Sequence, residues 1–256
     1  MIVGRVNTFQ PAYYRLEKEG LFAERLEQSS QILKSCQLCP RCCKVNRCEG
    51  EKGFCEAPVR AVVNSYQPHF GEEGPLVGRG GSGTIFFSYC SLRCVFCQNW
   101  TIAHQGQGRE VDAEEMAAMM LILQDMGCHN INLVTPTHLM PAILQAIRLA
   151  MQKGLKLPIC YNASGYERPE MIRLLDGIVD IYLADFKFIC GDQAARYTLA
   201  EASDYPIVAK AALKEMYKQV GNLICDENNI AMRGLMIRHL GPGSGINQPL
   251  MSGRGC

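Results

Sequence analysis

Three cysteines, Cys90, Cys94 and Cys97, carry the strongest chemistry in this chain. They are spaced C-x3-C-x2-C, follow an apolar run over 84–89, and have Phe96 just before the last thiol. No fourth cysteine lies near, the next being Cys55 upstream and Cys128 downstream. A four-iron cluster normally takes four thiolates. Three local ligands therefore leave one iron open to a small molecule, and an open metal position separates catalytic sites from closed structural ones. The competing readings are buried structural thiols or a zinc knuckle with a distant fourth ligand. Zinc sites more often use paired C-x2-C units, and the gaps here are unequal. The spacing points to an open iron–sulfur cluster.

These thiols sit where a predicted strand gives way to a loop, so the elements around them decide what they face. Continuous apolar runs at 84–89, 131–135, 157–162, 178–185 and 234–239 read as parallel strands buried on both faces. Helices are expected between them over 113–124, 141–153, 168–175 and 207–220. Asp112 with Glu115 makes a capping-box pattern at the first of these, and Gly127 is its stop signal. Strand–helix repetition predicts an α/β fold whose parallel sheet closes into a full or partial barrel. The chain has 256 residues, enough for one sizeable core. With 26 Lys and Arg against 25 Asp and Glu, bulk charge gives no pull toward nucleic acid or a membrane surface. No run approaches the roughly 18 apolar residues of a membrane span, and Met1-Ile2-Val3-Gly4-Arg5 turns polar too soon for a secretory signal. Fourteen cysteines, clustered and without such a signal, fit metal binding in a reducing cytoplasm better than a disulfide framework.

The run Phe86-Phe87-Ser88-Tyr89-Cys90-Ser91-Leu92-Arg93-Cys94-Val95-Phe96-Cys97-Gln98-Asn99 resembles the cluster loop of radical S-adenosylmethionine (SAM) enzymes. Within them, the stretch from about Cys36 to His239 most resembles proteins related to pyruvate formate-lyase activating enzyme, in the PflX-like branch. The resemblance implies a partial (β/α)6 barrel and a [4Fe-4S] cluster whose open iron chelates the amino and carboxylate groups of SAM. One electron, from a donor such as flavodoxin or ferredoxin, then gives methionine and a 5′-deoxyadenosyl radical that abstracts hydrogen. The substrate it implies is a glycine Cα of a partner glycyl radical enzyme.

In a barrel of parallel strands functional groups gather at the carboxyl ends, which gives a set of candidates for cofactor binding. Strand two ends in Thr135-Pro136-Thr137-His138, where the activating enzymes usually carry Gly-Gly-Glu for the SAM amino group. Thr135, Thr137 or His138 could supply that contact, and His138 reads equally as a helix-start histidine bonded to backbone. Strand three ends in Asn162-Ala163-Ser164-Gly165, resembling the segment that meets the ribose and carboxylate, although a plain turn uses the same residue types. Asp185 and Lys187, two apart on a strand, share a face. By resemblance they lie near the methionine carboxylate, sometimes with a monovalent cation; a structural ion pair is the alternative. Arg238 could hold a carboxylate in a bidentate way.

A second thiol group comprises Cys36, Cys39, Cys42, Cys43, Cys48 and Cys55. Cys36, Cys39, Cys43 and Cys55 form the family-like subset and could close a zinc site or hold a second iron–sulfur cluster. The segments are read as a helical extension over 1–35, a cysteine-rich segment over 36–58, a radical SAM core over 84–240 and a glycine-rich tail over 241–256. Leu21, Phe22, Leu26, Ile32 and Leu33 of the extension could pack on the barrel exterior. The tail, with Gly241, Gly243 and Gly245 closely spaced, is expected to interrupt the barrel after its fifth strand and leave an exposed edge. Gly78-Arg79-Gly80-Gly81-Ser82-Gly83 precedes a strand, so it fails the context of a dinucleotide loop and reads as a flexible lead-in. His69-Phe70-Gly71-Glu72-Glu73 reads as a solvated loop, or as carboxylates reaching the barrel mouth.

Three functions follow: a radical SAM enzyme acting on a glycyl radical enzyme; a radical enzyme acting on another peptide, nucleotide or metabolite; or a non-catalytic iron–sulfur electron carrier.

Overall fold

A computed structural model describes residues 9–239. The start of the chain and the glycine-rich tail lie outside the described residues. Two helices open the described chain, α1 (Ala12–Lys18) and α2 (Leu21–Gln31). Gly20, at φ 76°, makes the left-handed turn between them. Tyr13 is fully buried, and its hydroxyl donates to the carbonyls of Leu155 and Leu157, both at 3.0 Å. Phe22 and Leu33 join the core and Leu26 and Ile32 pack against it. Leu21 does not: at the first position of α2 it is exposed.

Next come β1 (Ala61–His69), α3 (Gly74–Val77), β2 (Ser82–Phe87), α4 (Trp100–Gln105) and β3 (Arg109–Val111). The alternation continues through α5 (Ala113–Asp125), β4 (Ile131–Val134), α6 (Met140–Gln152), β5 (Ile159–Ala163), α7 (Pro169–Leu174) and β6 (Ile181–Phe186). It ends with α8 (Gly191–Tyr197), α9 (Tyr205–Val220), β7 (Ile224–Cys225) and β8 (Ala231–His239). The capping box forms as read: Glu115 N donates to Asp112 Oδ1 at 2.8 Å, and Asp112 N to Glu115 Oε2 at 3.0 Å.

One mixed sheet has the order β3-β1-β2-β4-β5-β6-β8-β7. Its centre, β2, β4, β5, β6 and β8, is parallel, matching the five predicted strands. Three antiparallel strands extend it: β1 on β2, β3 on β1 and β7 on β8. The edge strands β3 and β7 do not pair, so the described residues do not close into a full barrel, and the parallel series runs to its fifth strand, β8, which ends at the last described residue. Strand β1 escaped detection because only Ala61-Val62-Val63 is buried, and the rest is half-exposed and polar. Beside β8, the two residues of β7 pair only with Ala231 and Arg233, the chain returning through the turn at Asp226, and no strand among the described residues pairs with the outer edge over 234–239.

The glycine lead-in is a second correction. An added Cβ at Gly80 would stand 1.9 Å from Gly127 O, and one at Gly78 2.4 Å from Ile230 Cδ1. Gly80 N also donates to His129 Nε2 at 3.0 Å. This is a tightly packed crossing rather than a flexible one, and Gly83 already belongs to β2, opposite Ile131.

Candidate functional site

The loop leaving β2 carries Cys90, Cys94 and Cys97, and its shape is fixed from several sides. Tyr89 and Arg93 adopt left-handed φ values of 70° and 50°, which turn the backbone sharply around Cys90. Leu92 N donates to Cys90 Sγ at 3.4 Å and Cys97 N to Cys94 O at 3.2 Å. His104 Nε2, facing Cys94 O at 3.0 Å, ties α4 to the loop. A short bridge also crosses to the segment after α8: Val95 N donates to Tyr197 O and Leu199 N to Arg93 O. The thiols of Cys90 and Cys94 are buried in a small apolar cluster with Leu92, Phe188 and Tyr205, separate from the main core. Cys97 packs against that cluster while remaining half-buried.

Beneath the loop lie the carboxyl ends of β5, β6 and β8. Asp185 accepts from Lys187 Nζ on one oxygen and from Arg238 Nε at 2.7 Å on the other. Arg238 Nη2 reaches Asn162 Oδ1 at 3.1 Å, and Nη1 lies 3.5 Å from Glu73 and 3.8 Å from Glu72. Burial alone would raise the Asp185 carboxyl, but the charges of Lys187 and Arg238 overcome it and hold it below its usual range. For Lys187, burial opposes the charge and Asp185 restores it, so the ammonium is held. The charge of the same ammonium acts on the cysteines. Burial pushes the Cys94 thiol up to about 12, and Lys187 is the main opposing influence. Burial raises Cys90 and Cys97 as well, and Lys187 opposes it in a smaller way.

Thr137 and Ser164 form a different network. Both meet the buried Glu167, Thr137 Oγ1 donating to Oε2 at 2.5 Å and Ser164 Oγ to Oε1 at 3.4 Å. Tyr161 OH donates to Thr137 Oγ1 at 3.1 Å. Thr137 is thus turned into internal bonds rather than toward the thiols. His138 is turned away too. Its Nε2 lies 2.8 Å from Ser88 O, and burial, with the Arg47 charge, pushes it down to about 4. The imidazole is neutral and bound to backbone, so this histidine takes the helix-start reading. Thr135, at φ 57°, gives its amide to Asn162 O at 2.9 Å. Its hydroxyl has no hydrogen-bond partner among the described residues, which leaves it the most available of the three strand-two candidates.

Glu167 itself carried no sequence signal: an acid two residues before Pro169 reads as a solvated helix start. Burial pushes its carboxyl up to about 8 despite the bonds from Thr137 and Ser164. Raised above the usual glutamate value near 4.3, it favours the folded state most at low pH, and that preference fades as pH climbs through 8. Glu167→Gln should therefore exceed the parent in stability at pH 9, by on the order of 2–4 kcal/mol. At pH 5 the gain should vanish. Urea unfolding at the two pH values checks this, and a constant difference would mean the carboxyl is ionised throughout.

Gly165 closes the floor of the site. At φ 85°, an added Cβ would stand 2.1 Å from Asp185 O and 2.6 Å from Tyr205 OH. That hydroxyl accepts from Lys187 N at 2.9 Å and lies 2.9 Å from Ser164 O. Gly165→Ala should cost about 3 kcal/mol or more in a denaturant titration; a near-parental midpoint would show the β5 turn free to shift.

Cys36, Cys39, Cys43 and Cys55 line one cavity with Arg47 and His138. Among the described residues no three His, Cys, Asp or Glu side chains are drawn in to ion-binding geometry. The donor chemistry nevertheless fits a cluster at the Cys90 loop: three thiols in or against one apolar cluster that also holds Phe188, next to Lys187. Bare thiols keep their protons in such a setting, whereas bound metal requires the thiolate.

Residues 84–186 match the Radical SAM superfamily. The matched stretch runs from β2 through the cluster loop to the end of β6, so it contains every thiol of the loop and Asp185. The match supports a radical SAM domain, with the iron–sulfur and SAM chemistry typical of that superfamily. An uncharacterized protein of Methanocaldococcus jannaschii, MJ0674, is 32% identical over 232 residues, covering 87% of this chain and 63% of the relative. The chain thus spans about 63% of the length of the relative it matches. No helix among the described residues is long and apolar enough to cross a membrane.

Proposed function

We propose that this chain is a radical SAM enzyme whose Cys90, Cys94 and Cys97 carry the cluster. The observation that carries the reading is the shared apolar cluster: Cys90 and Cys94 are buried with Phe188, and Cys97 and Phe186 pack against it, so the segment holding Lys187, a largely buried ammonium paired with Asp185, lies at the thiols. When bound, the cluster supplies the electron that cleaves SAM to methionine and a 5′-deoxyadenosyl radical. The chain's own residues bind and orient. Lys187 and Arg238 offer cations to the cofactor carboxylate, with Asp185 fixing both. Asn162 and the hydroxyl of Thr135 lie at the neighbouring strand ends, while Ser164 shapes the turn between. Leu92, Phe96 and Phe188 keep the thiol side dry, which strengthens each of these charge contacts.

We further place the chain with activating enzymes of glycyl radical enzymes, in the PflX-like branch. The resemblance of the cluster loop and of the Asp185-Phe186-Lys187 segment supports this. The hydrogen would then come from a glycine Cα of a protein partner, the electron from flavodoxin or ferredoxin, and the reaction would run in the cytoplasm. The test is anaerobic reconstitution with iron and sulfide, then dithionite and SAM. Release of 5′-deoxyadenosine is the expected result, and a loaded cluster that yields none would make the chain an electron carrier. A glycyl radical signal appearing in an added partner would establish the substrate class.

A further inference from the structure

We propose that Cys36, Cys39, Cys43 and Cys55 hold a single tetrahedral metal ion of the zinc class, independent of the cluster at Cys90. The four are separated by up to 19 positions in sequence yet line one cavity. The backbone folds them there in a knuckle. Cys36 N donates to Val45 O and Lys44 N to Cys36 O, both at 2.9 Å, and Cys42 N closes the turn on Cys39 O at 3.1 Å. Cys42 and Lys44 adopt left-handed φ values of 43° and 58° to make the return. Cys42 itself bonds back to Cys39 O through its thiol, and Cys48 is exposed, so neither competes for the cavity.

Two features show that a sulfur, rather than a side-chain filler, is meant to occupy this space. Phe54 N donates to Cys43 Sγ at 3.4 Å, the kind of bond that stabilises a thiolate ligand from its outer shell. An added Cβ on Gly53 would stand 3.0 Å from both Cβ and Sγ of Cys43, so the glycine leaves room for that sulfur. The cavity also has buried polar atoms without partners, His138 Nδ1 and Arg47 Nε, belonging to residues of its wall.

Size decides between one ion and a cluster. The free space is about 10 Å³, near the room of one water molecule. A single ion held by four thiolates suits that volume better than a four-iron cube does. Four thiolates with no open position make the site structural. Its wall is joined to the cluster loop on two sides. Arg47 Nη1 donates to His138 O at 2.7 Å while His138 meets Ser88 O, two residues before Cys90. Arg93 Nη1 donates to Phe54 O at 3.3 Å and lies 3.2 Å from Glu56 Oε1.

The test uses the full chain with Cys90, Cys94 and Cys97 all replaced by Ala, which removes the first site whatever its chemistry. After purification with zinc and no added iron, elemental analysis should find about one zinc per chain. Replacing Cys39 and Cys55 with Ser in the same background should lower it to near none. Cobalt added to metal-stripped triple variant should give thiolate-to-cobalt charge transfer and intense tetrahedral ligand-field bands, a readout that requires an assembled site. No zinc and no such spectrum, zinc retained without Cys39 and Cys55, or iron and sulfide bound in zinc's place after reconstitution would each overturn the assignment. None of these outcomes bears on SAM cleavage.

Discussion

Cys94→Ala should abolish cluster loading at the loop rather than weaken it. The reconstituted parent should carry about four iron atoms there, and the variant should hold close to none. The reason lies in the number of ligands. A site that begins with three thiolates has no spare, and Cys94 is the most enclosed by the surrounding chain. Its carbonyl accepts the Cys97 amide and faces His104, and its neighbours Arg93 and Val95 bridge to Leu199 and Tyr197. No other thiol of the apolar cluster can replace it, because Cys90 and Cys97 are already used. Iron and sulfide analysis, with the visible absorption of the reconstituted protein, measures this directly. Release of 5′-deoxyadenosine should disappear with the cluster. Iron content and spectrum equal to the parent's would remove Cys94 from the site, and with it the assignment of the loop. Far-ultraviolet circular dichroism should stay near the parental curve, since a small apolar residue in a mostly buried position keeps the loop packed.

The parallel centre of the sheet was legible because its strands are short apolar runs separated by helices. Asp112 with Glu115 is the clearest case, a local pattern whose two hydrogen bonds need nothing from the rest of the chain. Strand β1 was hidden for the opposite reason. Its second half, through Asn64, Gln67 and His69, is polar, and only pairing with β2 makes it a strand. The three thiols of the loop could be grouped from their spacing, since residues close in sequence are close in space, and they do pack at one apolar cluster. Lys187 and Asp185 were found because two charges directly after an apolar run demand a partner. Arg238 could be placed at the same end of the sheet from its strand, although its bonds to Asn162 and to the acids Glu72 and Glu73 depend on a chain crossing far away in sequence. For the same reason Glu72 was read in part as a solvated loop residue. Its side chain is 8% exposed and lies against Arg238, a tertiary fact with no local trace. Thr137 and His138 occupied the right strand end for cofactor binding, but rotamer and burial turned them toward Glu167 and Ser88, and sequence position carries no information on either.

Asp185 is the residue on which the charged part of the site depends, and Asp185→Ala should cost about 3–5 kcal/mol of stability. One carboxylate serves two cations on opposite oxygens, Lys187 and Arg238. Removing it leaves a buried ammonium beside a half-buried guanidinium with no charge between them, and Coulomb repulsion replaces attraction. Arg238 can still turn toward Glu72 and Glu73, so the greater part of the penalty falls on Lys187. Lys187→Met gives the contrasting result. It leaves Asp185 paired with Arg238 at 2.7 Å and puts an apolar chain of similar length against Phe186 and Phe188. Stability should then change by less than in Asp185→Ala, while SAM binding to the reconstituted protein should weaken about tenfold or more, the loss of one charge-assisted contact. Anaerobic urea unfolding and equilibrium dialysis with labelled SAM give the two readouts on the same preparations. Because the parental carboxyl titrates below its usual range, its contribution is present at neutral pH and lost as pH falls through that lowered value. The gap between parent and Asp185→Ala should accordingly close in acid. If Lys187→Met lost stability as heavily as Asp185→Ala yet bound SAM unchanged, the pair would be a structural brace, and the cofactor carboxylate would have to be held by Arg238.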